Sequence, residues 1–174
     1  MVSQPEFLYD VFISHSFADR EWVDAWLLPR LEGAGLRVCV DYRDFSAGAA
    51  RLPSIERAIA SSRRTVAVLT PDWLASEWNA FEDILVRSLD PAALRRRLIP
   101  VKLKACELPP SLAALERVDL TEERRWEQGI QRLQRDVLDV VPVAAPWRQN
   151  PAEPLWTRWR RWLRRYRRQV RRGV

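Results

Sequence analysis

Glycine is scarce. The 174 residues hold five, and none falls into a G-x-G-x-x-G or Walker pattern. A phosphate-cradling loop of either kind needs glycine where the backbone closes on the phosphate, so both site types are excluded. The two cysteines, Cys39 and Cys106, lie far apart and outside any C-x-x-C pair, which excludes a disulfide scaffold and a zinc knuckle and suits a reducing cytosol. His15 is the sole histidine, so no H-E-x-x-H zinc motif can form. Neither a Ser-His-Asp order nor an EF-hand spacing occurs, and no metal site is expected. No apolar run approaches the roughly 20 residues of a spanning helix, and no secretory h-region follows Met1. The expectation is a cytoplasmic protein that is neither integral to a membrane nor exported. Lysine is nearly absent too, 2 against 27 arginines, which fits a GC-rich genome better than a physical demand.

What is present is enough for one ordinary domain with some chain left over. Hydrophobic residues make up 47% and charged residues 30%, a composition that supports a packed core. The formal net charge of +6 on its face points to nucleic acid. Its distribution says otherwise. Residues 1–146 hold 19 Lys+Arg against 22 Asp+Glu, net −3, whereas residues 147–174 hold 10 Arg against the single acid Glu153, net +9. The basic excess belongs to the C-terminal stretch, and no sequence-specific nucleic-acid binding is expected of the domain that precedes it.

Along that domain, strand patterns alternate with helix patterns. Tyr9–Ser14 is a short apolar run rich in β-branched and aromatic residues and reads as a buried strand. Asp19 stands where a helix N-cap would, Glu21 to Leu31 continue at helical spacing, and Gly33 and Gly35 end the helix. Leu36–Val40 is a second strand, Asp41–Ala50 a loop, and Pro53 opens a helix in its first turn. Arg64–Leu69 is a third strand, Thr70–Leu74 a loop, and Ser76 caps a helix that runs to about Leu89, where Pro91 stops it. Leu98–Leu103 is a fourth strand whose Pro100 suggests a nearby sheet edge or a bulge. Arg117–Leu120 is a weak fifth strand, and Thr121 caps a last helix to about Val141. This alternation predicts an α/β fold, a five-stranded parallel sheet with helices on both faces. Four prolines between Pro142 and Pro154 mark a linker.

In open α/β sheets ligands bind beyond the carboxyl ends of the strands, where the strand order reverses. For a flavodoxin-like order that point lies between strands one and three. The loops His15–Ala18 and Thr70–Glu77 meet there, flanked by Asp41–Ala50. These loops and their borders hold Ser14, His15, Phe17, Asp41, Arg43, Asp44, Phe45, Trp73, Ser76 and Trp78. Glu82 follows at i+4 from Trp78, on the same helix face. A carboxylate beside an indole at such a cleft suits glycosidic chemistry, because carboxylates stabilise oxocarbenium-like transition states and indoles stack on rings. Plainer roles stay open at this point: a glutamate near a helix start is favoured by the dipole alone, Trp78 fills a core equally well, and His15 serves equally as a loop hydrogen-bonder.

The residues resemble a Toll/interleukin receptor (TIR) domain of the bacterial kind. Tyr9-Asp10-Val11-Phe12-Ile13-Ser14-His15-Ser16 is similar to the family's first box. The stretch from Asp41 through Arg43 and Asp44 to Gly48 resembles the second box and its loop. Ser76-Glu77-Trp78-Asn79-Ala80-Phe81-Glu82 resembles the helix motif S-x-W-C-x-x-E. The resemblance covers roughly residues 7–141. Three positions depart from it: Ala47 stands where a proline usually precedes the loop glycine, Asn79 replaces the motif cysteine, and the Phe-Trp third box is absent, with Trp126 in that general region.

The resemblance implies a flavodoxin-like TIR fold and one of two functions. Enzymatic members cleave the nicotinamide–ribose bond of NAD⁺, which is substrate rather than cofactor, giving nicotinamide and ADP-ribose or a cyclic isomer. The family's catalytic glutamate maps onto Glu82. By the same mapping His15, Ser16, Phe17 and the Asp41–Phe45 loop line the nucleotide pocket, and Trp78 packs beside the glutamate. Assembly of protomers completes the pocket in such members, and a role in anti-phage immune signalling goes with them. Other members are non-enzymatic scaffolds that mediate TIR–TIR contacts. A response-regulator receiver shares the fold but needs an acidic pair after strand one and a phosphorylatable aspartate after strand three. Here Ser14-His15 and Thr70-Pro71 stand at those places. A nucleoside deoxyribosyltransferase shares the glycosidic chemistry, but its motifs fit less well.

Beyond the linker, Leu155, Trp156, Trp159, Trp162, Leu163, Tyr166 and Val170 fall within an arc of about 120° on a helical wheel, and every arginine from Arg158 to Arg172 falls outside it. Residues 155–172 are therefore expected to form a basic, Trp-rich amphipathic helix. Its aromatic stripe can dock on the domain or on a neighbouring protomer. It can also adsorb to an anionic membrane surface, which would make the protein peripheral there, or contact another acidic partner.

Overall fold

Tyr9–Ser14 forms strand β1, which lies between β2 and β3 in a five-stranded sheet of order β2-β1-β3-β4-β5, in which every neighbouring pair is parallel. The other strands are β2 (Val38–Val40), β3 (Ser62–Leu69), β4 (Leu98–Lys102) and β5 (Val118–Asp119). The computed structural model describes residues 7–78 and 97–138. The chain divides into two units, Met1–Val141 and Pro142–Val174, and all the described residues belong to the first. The expected linker at 142–154 and the amphipathic helix at 155–172 lie outside the described residues. So do Glu82 and most of the helix expected from Ser76 to Leu89.

The sheet is buried on both faces, and the strand sequences alternate accordingly. Val11, Ile13, Val38, Val40, Val66 and Val68 meet Val23, Leu27 and Leu31 from one helix and Ile130, Leu133 and Val137 from another. Phe12, Cys39, Ala67 and Leu69, one residue out of phase, meet Ile55, Ala58, Ile59, Trp73 and Leu112. Successive side chains of a strand point to opposite faces, so a strand covered on both reads as an unbroken apolar run. Cys39 is a free thiol inside the second cluster, and burial pushes its pKa up to about 12.

The first helix, α1, spans 17–33. It opens as a 3-10 turn (Phe17–Asp19), continues through Arg20–Trp22, widens into a π turn (Val23–Leu27) and ends as an α-helix (Leu28–Gly33). The π turn departs from the regular spacing expected. Pro29 has no N–H to bond four residues back, and the ladder shifts so that the Leu28 N–H donates to Val23 O. Gly35, at φ 81°, ends the helix: its N–H donates to Glu32 O at 2.8 Å and that of Leu36 to Leu31 O at 3.2 Å. Gly33 stays inside the helix. Trp22 and Trp26 stack at 5.2 Å and both meet Trp126 edge-on, with the Arg30 guanidinium 4.4 Å over the Trp26 ring.

Several local expectations are corrected. The loop after β2 begins as one helical turn, α2 (Asp41–Asp44), because the Asp44 carboxylate accepts from the Val40 N–H at 2.7 Å. As expected, Pro53 lies in the first turn of its helix, α3 (Arg51–Ser61), which runs directly into β3. Arg97, just before β4, caps its end by donating to Ile59 O and Ser62 O, each at 2.7 Å. The expected loop Thr70–Leu74 is mostly helix α4 (Pro71–Ser76). Thr70 is its N-cap, accepting from the Trp73 N–H at 3.1 Å, with Pro71 in the first turn. Ser76, expected as a cap, donates back to Asp72 O at 2.8 Å. Past α5 (Pro110–Ala113), Thr121 is not a cap either: its N–H and hydroxyl both donate to Asp119 Oδ1. A 3-10 turn (Glu123–Arg125) then leads into α6 (Trp126–Leu138). In α6 a Cβ on Gly129 would overlap the Leu120 side chain, so glycine sets how closely this helix approaches β5.

Candidate functional site at the switch point

The strand order reverses between β1 and β3, and the segments leaving the carboxyl ends of β1, β2, β3 and β4 surround that point. Polar side chains are buried there. Ser14, His15, Ser16, Asp19 and Thr70 are all less than 7% exposed, so their hydrogen bonds must be made within the protein.

Asp19 is the hub. Its Oδ2 accepts from Ser16 Oγ at 2.5 Å and from Thr70 Oγ1 at 2.6 Å, and its Oδ1 accepts from Lys104 Nζ at 2.7 Å. Burial alone would raise its pKa. The bonds from Lys104, Ser16 and Thr70 outweigh that and hold the carboxyl below its usual range. The expected N-cap role of Asp19 is therefore corrected: its side chain makes no cap bond to α1 and ties together segments after β1, β3 and β4. Thr70 in turn caps α4, whose Trp73 donates its indole N–H to Ser14 Oγ at 3.0 Å.

Around this floor runs a rim. His15 Nε2 lies 4.0 Å from Asp41 Oδ1, and the imidazole meets the Tyr42 ring edge-on at 5.7 Å. His15 Nδ1 has no hydrogen-bond partner among the described residues. Burial lowers the His15 pKa, with Asp41 opposing, so the ring is neutral at pH 7. Asp41 Oδ2 accepts from Arg51 at 3.2 Å, and the other arm of Arg51 reaches Glu77 at 2.8 Å, so this guanidinium spans from the β2 segment to the end of α4.

The remaining expected site residues fall into four places. Phe17 projects into solvent, 86% exposed. Arg43 and Asp44 turn toward α1 and β2: Arg43 pairs with Glu32 at 2.6 Å and with Asp44 at 3.2 Å, and donates to Val38 O. Trp73, Trp78 and Phe45 belong to the core side. Trp73 is fully buried, Trp78 packs 6.0 Å from it, and Phe45 stacks on Phe12 at 6.1 Å. Ser76 sits at the end of α4. The structure thus brings His15, Asp41, Glu77 and the start of the Ser76–Trp78 motif to one rim, and leaves Arg43 and Asp44 engaged elsewhere. Sequence reasoning missed Asp19, Lys104 and Arg51 as members of this neighbourhood. Thr-Pro-Asp at 70–72 carried the signal for α4, since threonine before proline is a strong helix start. Nothing comparable marked Lys104.

Among the described residues no group of three His, Cys, Asp or Glu is arranged to hold a metal ion, and no helix is long and apolar enough to cross a membrane. A cavity of about 260 Å³, lined in part by Leu98, Glu116, Arg117 and Arg132, lies where β4 begins, at the end of the sheet opposite the switch point.

A family model described as the TIR domain matches residues 11–134. Toll-like receptor 13 of Mus musculus is 37% identical over 83 residues, covering 46% of this chain and 8% of the receptor. Protein toll of Drosophila melanogaster is 37% identical over 76 residues, covering 42% of this chain and 7% of its own length. The chain therefore spans less than a tenth of these curated relatives. Among solved structures, the TIR domain of the Toll-related receptor TRR-2 from Hydra magnipapillata superposes with a TM-score of 0.65 at 30% identity, over 75% of this chain and 99% of that one. A metazoan TIR-STING receptor from C. gigas gives 0.61 at 26% identity, over 84% of this chain and 45% of that one.

Proposed function

The chain belongs to the TIR domain family, and from that premise we propose that it is an NAD⁺ glycohydrolase acting in immune signalling. The reaction breaks the bond between nicotinamide N1 and ribose C1′. Nicotinamide leaves with the bonding electron pair and is neutral. Water adds at C1′ and releases a proton, giving ADP-ribose, or an adenine nitrogen adds instead and closes a cyclic isomer. Because the leaving group departs neutral, acid assistance matters little. What matters is a carboxylate that orients the ribose hydroxyls and stabilises positive charge growing at C1′. Glu82 is assigned that role. It lies outside the described residues, four positions beyond Trp78 in the chain.

The observation that carries this reading is the meeting of the first-box residue His15, the second-box residue Asp41 and Glu77 of the helix motif on one rim, bridged by Arg51, at the carboxyl end of the sheet. A buried polar floor beneath it keeps the rim's supports in register. Self-association of the TIR domain is part of the proposal, since a neighbour's loop would complete an open cleft. The tail at 155–172 is proposed to favour that assembly by docking on a neighbouring protomer, with an anionic membrane as its other partner class.

Wild type and Glu82→Ala, incubated with NAD⁺ at concentrations that permit assembly, test the reading by nicotinamide release. Wild type is expected to release nicotinamide and the variant to lose at least about 10²-fold in rate. The similarity to Toll receptors favours a second reading, a scaffold that only binds other TIR domains. It is the one left standing if neither protein consumes NAD⁺.

A further inference from the structure

We infer that Asp19 is the positioning residue of this site: through Thr70 it fixes the start of α4, and through Ser16 the segment that carries His15, so that both rim segments hold one geometry. The inference rests on the NAD⁺-cleaving reading for its kinetic consequence, but its structural content stands on the described residues alone.

Three segments far apart in sequence converge on one carboxylate that is 2% exposed. Each bond fixes something different. Ser16 lies one residue after His15, so its bond to Asp19 sets the exit path of β1. Thr70 uses its hydroxyl twice, donating to Asp19 and accepting from the Trp73 N–H. The orientation of the hydroxyl that caps α4 is therefore dictated by Asp19. Trp73 then locks to Ser14 through its indole, closing a ring from β1 through α1 and β3 back to β1. Lys104, half exposed, supplies the counter-charge from the segment after β4. An ordinary N-cap threonine needs no acceptor for its proton other than water. Here the acceptor is a buried anion, and charge-assisted bonds of this kind are shorter and stronger than neutral ones. Because α4 leads into Glu77 and Trp78, a tilt at Thr70 displaces the rim on which the proposed reaction depends.

Asp19 touches no substrate in this account. Its effect passes through Thr70 and Ser16, so its loss should reduce turnover by misplacing groups that act. A displacement of about 1 Å is enough for a loss of about 10²-fold.

The test compares Asp19→Asn, Thr70→Val and Thr70→Ser in the full chain, by steady-state nicotinamide release and by backbone hydrogen exchange, with Glu82→Ala as the inactive reference. Asp19→Asn and Thr70→Val are expected to lose about 10²-fold in kcat with KM changed far less. Thr70→Ser, which keeps the hydroxyl, is expected to recover wild-type turnover. Exchange should quicken at 14–19 and 70–78 and stay unchanged in α6. Full kcat in Asp19→Asn, failure of Thr70→Ser to recover it, or exchange that quickens evenly along the chain would overturn the inference. If wild type itself releases no nicotinamide, the catalytic reading fails. The exchange pattern then decides alone: localised quickening supports the positioning role and even quickening overturns it.

Discussion

The floor and the rim of the switch-point site both pair carboxylates with cations, but at opposite degrees of burial. In the floor, Asp19 is withdrawn from solvent and receives three hydrogen bonds, one of them from a lysine. In the rim, Arg51 remains 55% exposed and bridges the carboxylates of Asp41 and Glu77. Exposed pairs are worth about 0.2–1 kcal/mol, because water competes and long side chains must be held still. Asp19 differs because the hydroxyls it accepts from, Ser16 and Thr70, are buried, and a buried donor left without its acceptor costs about 1–3 kcal/mol. Similar contacts thus give a floor that keeps one geometry and a rim whose exposed ion pairs can exchange partners.

Substitutions on the two layers can break or sharpen this contrast. Trp73→Ala should have the largest effect, about 4 kcal/mol in urea denaturation, since it empties a fully buried indole site and removes the bond to Ser14. Asp19→Ala should follow at about 2 kcal/mol, leaving the buried Ser16 and Thr70 hydroxyls without their acceptor while the half-exposed Lys104 returns to water. Acid should separate the layers by pH. The folded state resists protonating His15, so its part of the stability is lost as pH falls below the ordinary value of 6.5. Asp19, also lowered in the folded state, gives up its part only as pH falls below 3.8. His15→Gln should flatten the stability profile near pH 6, and Asp19→Asn only the far acid end. Arg51→Ala should be the smallest, under about 1 kcal/mol. If Arg51→Ala destabilises as much as Asp19→Ala, the contrast between layers collapses.

The fold was legible because burial on both faces writes itself into strands as unbroken apolar runs. The bounds of β1 matched the sequence pattern residue for residue, and the parallel order followed from helices between strands. Local errors came where a side chain found a distant partner. Asp19 looks like a cap in sequence, and only the approach of Thr70 and Lys104, 51 and 85 residues away, shows otherwise. The short turn at Asp41–Asp44 exists because Asp44 bonds the Val40 N–H. The π turn in α1 could have been read from Pro29, a proline inside a helical pattern. Of the candidate site, His15 and Asp41 were legible by their places at strand ends, and Ser76–Trp78 by its motif. Arg51 was not, because it reaches the site from the first turn of α3.

The most direct measurement is nicotinamide release per protomer by wild type and Glu82→Ala across a protein concentration series. The account predicts that wild-type release per protomer rises with concentration as protomers assemble, while the variant stays near background throughout. Intact NAD⁺ with both proteins at every concentration, or equal release by the two, would contradict it.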